Sequence, residues 1–272
     1  NRDSSLRLVG SEMCIRDRYK LMSEGKTANY LKYAIGEIFL VVIGILIALS
    51  INNWNEGQKT RDKEQILLSQ LKQEFEDDLR QLNDKIAIRN RIITSCKVIL
   101  NTLDEDLDIE NDSLIFHLQR TLYTPTFNAN SESFFASKDI NIIRNDSLKN
   151  LLSKWPTRVD ELVEEEVVLL NHRDNFFIPF LNNHIQIRDL FQQVEQDLGI
   201  QDLIYPQGSD RLDPIIGRTN MRENVNRILD VEDLEDYISY IALFSNIANA
   251  QSLPLRAHID LILDQINESL DK

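Results

Sequence analysis

The sequence predicts an all-α protein with a single N-terminal transmembrane helix, followed by a long helix and an antiparallel helical bundle. Three observations carry that expectation. An almost unbroken apolar run extends from Tyr33 to Ile51. Beyond it, apolar residues recur at helical rather than alternating spacing. Only 8 Gly and 6 Pro occur in 272 residues, little material for a many-turned β protein. The chain divides by composition into residues 1–18, a basic juxtamembrane leader at 19–32, an anchor at 33–54 and a soluble α-helical domain at 55–272.

Residues 1–18 are set apart by Met13-Cys14-Ile15-Arg16-Asp17-Arg18. The codons ATG TGT ATA AGA GAC encode the first five of these residues and resemble the transposon end used to prepare sequencing libraries. The segment is read as translated adapter, with a genuine basic, disordered tail as the alternative, and it is excluded from fold reasoning.

The apolar run, YAIGEIFLVVIGILIALSI, is about 19 residues long and makes a helix of roughly 28 Å, close to the hydrocarbon thickness of a bilayer. A buried core helix would show a polar side, whereas Ile38 to Leu49 is apolar on every face apart from Gly44. A cleavable signal peptide is the second alternative, with small residues at Ala48-Leu49-Ser50. An uncleaved anchor is preferred. Tyr33 and Trp54 lie at opposite ends, where amphipathic rings favour the headgroup zone, and Asn52, Asn53 and Asn55 surround Trp54 at the exit. Glu37, Gly44 and Ala48 share one helix face, and the Gly44–Ala48 pair permits close approach of another helix. Lys20, Lys26 and Lys32 before the run balance Lys59, Arg61 and Lys63 after it. Orientation is therefore taken from the tendency of a first helix to keep its short end inside, with the bulk domain outside.

After Gly57, the one breaker, a long helix is expected from about Lys59 to Leu107. Leu68, Phe75, Leu82, Cys96 and Leu103 occupy one heptad position, and Leu79, Ile86, Ile93, Leu100 and Leu107 the other; Arg89 interrupts the seam. Ser113 to Leu122 and Ser131 to Ser137 read as short helices, and Lys138 to Ile143 as an extended link. Asp146 is the expected N-cap of a helix over Leu148–Lys154, which Trp155-Pro156 kinks or restarts. The next helix runs from Thr157 to about Gln196, disturbed near Pro179. Leu198 to Thr219, with Gly199, Pro206, Gly208, Pro214 and Gly217, is the longest loop. Asp230 is expected to cap a helix through Val231–Ala250 with Leu234, Ile238, Ile241 and Phe244 inward, and Pro254 to start a final helix to Leu270.

The net charge of −14 argues against nucleic-acid binding, which requires a basic surface. With Cys14 in the suspect segment, Cys96 has no disulfide partner and reads as a small hydrophobe. His117, His172, His184 and His258 form no metal-binding spacing. His172-Arg173-Asp174 matches the letters of a kinase catalytic loop but lacks every companion motif. His172 and His184, placed on one helix, would point about 120° apart. Glu164-Glu165-Glu166 reads as a solvated face. No catalytic, cofactor-binding or metal-ligating residue is assigned.

The stretch Ser23 to Glu56, SEGKTANYLKYAIGEIFLVVIGILIALSINNWNE, resembles the signature of a single-pass membrane protein family of unknown function found in Bacteroidota. The resemblance continues more loosely to Leu152 through Ser133-Phe134-Phe135-Ala136-Ser137 and Asn141-Ile142-Ile143-Arg144-Asn145, although many members have glycine where this chain has Asp139. It implies a bacterial inner-membrane location, where the orientation taken above puts the bulk domain in the periplasm, and supplies no reaction. The expected function is that of a membrane-anchored interaction or sensory module. Its expected partners are the lipid bilayer and either a second copy of the chain or an envelope protein. A membrane-bound enzyme with carboxylate or histidine chemistry, or a stabilising subunit of an envelope complex, is the alternative.

Overall fold

The structure is a computed structural model that describes residues 26–130, 138–197, 217 and 225–271. The segments read as adapter, as a short helix at 131–137 and as the long loop at 198–219 lie outside the described residues, except for Gly217. Among the described residues all regular structure is helical: α1 (Lys26–Asp104), α2 (Asn111–Thr121), α3 (Asp146–His172), α4 (Ile178–His184), α5 (Arg188–Gln196) and α6 (Asp233–Leu270). Short 3-10 helices occupy Lys138–Ile142 and Val225–Asp230, and a π turn occupies Arg173–Phe177. By its contacts the chain forms two compact units, Asn1–Lys63 and Glu64–Lys272.

In the first unit, α1 carries the apolar run. It is long and apolar enough to cross a membrane, and none of its most apolar stretch is buried inside the protein. Gly57 does not break the helix, because a single glycine costs only about 1 kcal/mol against the ladder around it.

In the second unit, three long segments pack side by side. Hydrogen bonds join Gln65 to Ser269 and Arg89 to Asn249, so α6 runs antiparallel to α1. Glu64 meets Arg144 and Arg89 meets Glu166, so α1 and α3 run parallel. Among the described residues, α2 and residues 122–130 and 138–145 lie on the return crossing that this parallel pairing requires. Two apolar clusters fill the interior. One gathers Leu68, Phe75, Leu82, Leu152, Trp155, Leu162, Ile259 and Ile262. The other gathers Ile88, Ile92, Cys96, Leu118, Phe177, Leu181, Ile238 and Ile241. Trp155 anchors the first, edge-on to Phe75 at 5.0 Å and stacked on His258 at 6.4 Å.

Several local expectations are corrected. The heptad row of Leu68, Phe75, Leu82 and Cys96 is buried as expected, and Arg89 is buried with it. The other row is not Leu79, Ile86 and Ile93, which are only half-buried, but Glu64, Leu71, Asp78, Ile92 and Ile99. Polar residues in that row hid it from an apolar count. Lys138–Ile142 is a 3-10 helix, not an extended link. The N-cap of α3 is Asn145, whose side chain accepts from the Leu148 amide at 3.1 Å; Asp146 is already helical. Pro156 and Pro254 neither start nor end a helix, since α3 and α6 run through them. Both prolines are solvent-facing, while Trp155 and Leu255 beside them are buried, so packing holds the helix where propensity alone would end it. α6 begins at Asp233, after a 3-10 helix that includes Asp230, and Asp230 is not its cap. The disturbance expected near Pro179 is the π turn just before it, where the Ile178 amide donates to the Arg173 carbonyl.

Candidate functional site

Residues 123–130 have almost no regular structure, so their backbone groups need partners from side chains. Polar side chains of α1 and α3 provide them, with Asp78 and Glu166 buried and Gln81 half-buried. The Phe127 amide donates to Glu166 Oε2 at 2.7 Å, the Asn128 amide to Gln81 Oε1 at 2.6 Å and the Asn130 amide to Asp78 Oδ1 at 2.7 Å. Gln81 Nε2 returns a bond to the Asn128 carbonyl at 2.9 Å. An irregular strap is thereby fixed across the bundle.

Glu166 is the centre of this arrangement. Its other oxygen accepts from Arg89 Nη1 at 2.6 Å, and both side chains are essentially inaccessible to water. Arg89 also donates through Nε to Asn249 Oδ1 at 2.9 Å and through Nη2 to Ser252 Oγ at 2.7 Å. This layer ties α1, α3, α6 and the strap together between the two apolar clusters. Burial pushes the Glu166 carboxyl up and the Arg89 guanidinium down from their ordinary values, and their mutual attraction opposes both shifts. The expectation that Glu164-Glu165-Glu166 is one solvated face is thus corrected at Glu166, which points inward on its turn of α3.

Beside the layer lies a cavity of about 400 Å³. Its floor and walls come from Lys85 and Ile88 of α1, Leu122 to Thr126 of the strap, Arg173 of the π turn, Ile178 of α4 and Phe191 of α5. The π turn directs Arg173 to the strap, where Nη1 donates to Thr124 Oγ1 at 2.5 Å and Nε donates to Asp174 at 2.7 Å. Lys85 is half-buried one helical turn before Arg89. Burial lowers its ammonium pKa, and Arg89 adds to the fall; the nearby negative charges of Glu166 and Asp84 oppose it. Among the described residues the Lys85 ammonium donates no hydrogen bond, and the Glu166 and Asp84 carboxylates act on it through charge alone. The described lining residues therefore offer two cations, the hydroxyls of Tyr123, Thr124 and Thr126, and apolar walls, with no carboxylate, imidazole or thiol among the described residues.

The residues singled out from the sequence lie elsewhere. Tyr33, Glu37, Gly44, Ala48, Asn52, Asn53 and Trp54 are all on α1 in the first unit, and all are exposed. A Cβ placed on Gly44 would meet nothing within 4 Å. Asn52 Nδ2 donates to Glu56 Oε1 at 3.3 Å, a bond along the helix surface. His172 and His184 do not share a helix, because the π turn separates α3 from α4. The His172 ring stacks on Tyr240 at 3.9 Å, and His184 Nδ1 lies 2.8 Å from the Phe180 carbonyl. Cys96 is fully buried, and burial pushes its thiol up to about 12, far from a reactive thiolate. Lys85 and Arg173 escaped the sequence reading because the strap that completes their site is distant from both in the chain. The signals that pointed nearby were Arg89 in an apolar seam and proline at 125 and 179.

A long apolar helix continuing into an all-helical bundle defines the class of protein. Residues 37–154 match a family described as of unknown function, DUF6090. The match takes in most of the apolar run together with Lys85, Arg89 and the strap, and ends before Glu166 and Arg173. No curated protein and no solved structure matches the chain.

Proposed function

We propose that this chain is a single-pass, membrane-anchored helical binding module of a bacterial inner membrane, of the kind found in Bacteroidota, with its bundle on the periplasmic side. The observation that carries the reading is the run Tyr33–Ile51, whose large apolar side chains are exposed to whatever surrounds the protein. Water is a poor environment for such a surface, since contiguous apolar patches of this size are rare on soluble proteins. Tyr33 and Trp54 form the interface belt, with Asn52 and Asn53 at the exit, and the face of Glu37, Gly44 and Ala48 is the place where a second copy would pack. The bundle supports binding, because the described residues of its cavity present cations and hydroxyls to a guest beside apolar walls.

Fractionation with an alkaline carbonate wash, combined with a reporter fused after Lys272, tests the reading. The expected outcome is a full-length chain retained in the membrane pellet with reporter activity on the periplasmic side. Release into the soluble fraction, or a mature chain shortened to beyond Ser50, would replace the anchor with a soluble domain or a signal peptide. Cytoplasmic reporter activity would reverse the orientation.

A further inference from the structure

We propose that the cavity between α1, the strap and the π turn binds a compact organic carboxylate with an apolar body, and that Lys85 is the residue that receives the carboxylate. This rests on reading the bundle as a binding module, and is independent of which side of the membrane it occupies.

Three independent features of the cavity converge on that ligand class. The first is charge. Arg173 is partly committed to Asp174 and Thr124, whereas the Lys85 ammonium is drawn out of water without a hydrogen-bond acceptor among the described residues. A half-buried cation in that state is stabilised by an incoming anion more than an exposed one would be, because desolvation has already weakened its hold on water. The lowered pKa of Lys85 is the same effect seen from the proton's side. The second is shape and wall chemistry. Ile88, Leu122, Pro125, Ile178 and Phe191 supply an apolar wall for a ring or branched chain, and a volume of about 400 Å³ suits a small molecule. The third is pre-organisation. The strap that carries the Thr124 and Thr126 hydroxyls is already pinned through Phe127, Asn128 and Asn130, so little ordering cost remains for binding.

The alternatives fit less well. A cation would meet Lys85 and Arg173, with no carboxylate among the described lining residues. A purely apolar guest would take further water from the ammonium and add no charge to what Glu166 and Asp84 already supply.

The test uses the full chain in lipid nanodiscs and three probes with one body: 4-phenylbutyrate, 4-phenylbutylamine and 4-phenylbutanol. Ligand-observed NMR with competition measures affinity, and mass spectrometry measures acetylation of Lys85 with and without probe. The expected result is saturable binding of the butyrate, at least about tenfold weaker binding of the amine and the alcohol, and protection of Lys85 from acetylation by the butyrate alone. Lys85→Gln should weaken the butyrate about tenfold or more, and Lys85→Arg should retain most of the affinity. Equal binding of amine and butyrate, no saturable binding of the butyrate at millimolar concentration, or unchanged affinity in Lys85→Gln would each overturn the proposal. Protection of Lys85 is read on the wild-type chain, so the proposal stays testable should the variants fold poorly. Loss of the chain from the nanodisc would count against the anchor instead, and is read separately from probe binding.

Discussion

Arg89 shows how much one side chain can organise. It stands in a heptad row otherwise made of Leu68, Phe75, Leu82 and Cys96, and it is as buried as they are. A guanidinium is tolerated there only because Glu166, Asn249 and Ser252 occupy its donors. Removing one partner strands the other. Arg89→Met should destabilise the bundle by about 3–5 kcal/mol, because Glu166 is left charged and buried. Arg89→Met combined with Glu166→Gln should be milder than Arg89→Met alone, since glutamine keeps an acceptor for the Phe127 amide without the charge. Chemical denaturation of the two variants followed by circular dichroism checks the order; a double variant less stable than the single would refute the pairing.

The helices owe their limits to a mixture of local and distant causes. α1 is closed two residues beyond its end by a left-handed residue, Asp106 at φ 51°, while the Leu107 amide reaches back to the Thr102 carbonyl at 3.1 Å. That is the geometry of a glycine-type C-terminal cap occupied by a residue with a Cβ. Asp106→Gly should therefore raise stability by about 0.5–1 kcal/mol, measurable as a shift in denaturation midpoint without a change in slope. Pro156 and Pro254 make the opposite point. Each removes a helical donor, yet α3 and α6 continue, because Trp155 is packed against Phe75 and His258 and because His258 Nε2 bonds to the Leu151 carbonyl at 2.9 Å. The restart expected at Pro156 and the helix start expected at Pro254 are thereby overturned, whereas the disturbance expected near Pro179 is the π turn that aims Arg173 at the cavity.

At the level of the folded unit, charge and burial together predict a response to acid. His117, His172 and His258 all have pKa values lowered by burial. Between their lowered values and the ordinary histidine value near 6.5, the unfolded chain binds more protons than the folded one, so stability rises with pH across that window and falls on acidification. Glu74 and Glu166, with pKa values raised by burial, act in the opposite sense above the ordinary carboxylate value. The histidine contribution is isolated by His258→Gln, which keeps a donor for the Leu151 carbonyl. Melting temperatures between pH 7.5 and 5.5 should fall in the wild type and fall less in the variant; identical profiles would remove His258 from the account.

The amino-acid order alone was enough for the helical class, the apolar run and inward residues of α6 such as Leu234, Ile238 and Ile241. These depend on hydrogen bonds four residues apart and on hydropathy, both of which are local. It was not enough for the polar interior. Glu64, Asp78, Arg89 and Glu166 are buried because a backbone amide or a counter-charge arrives from a segment far along the chain. The same holds for the cavity, whose Lys85 and Arg173 are neighbours only once α1 and α3 lie parallel and the strap crosses them. A charged side chain goes inside when its partner is already there, and only the tertiary arrangement of α1, α3 and the strap decides that.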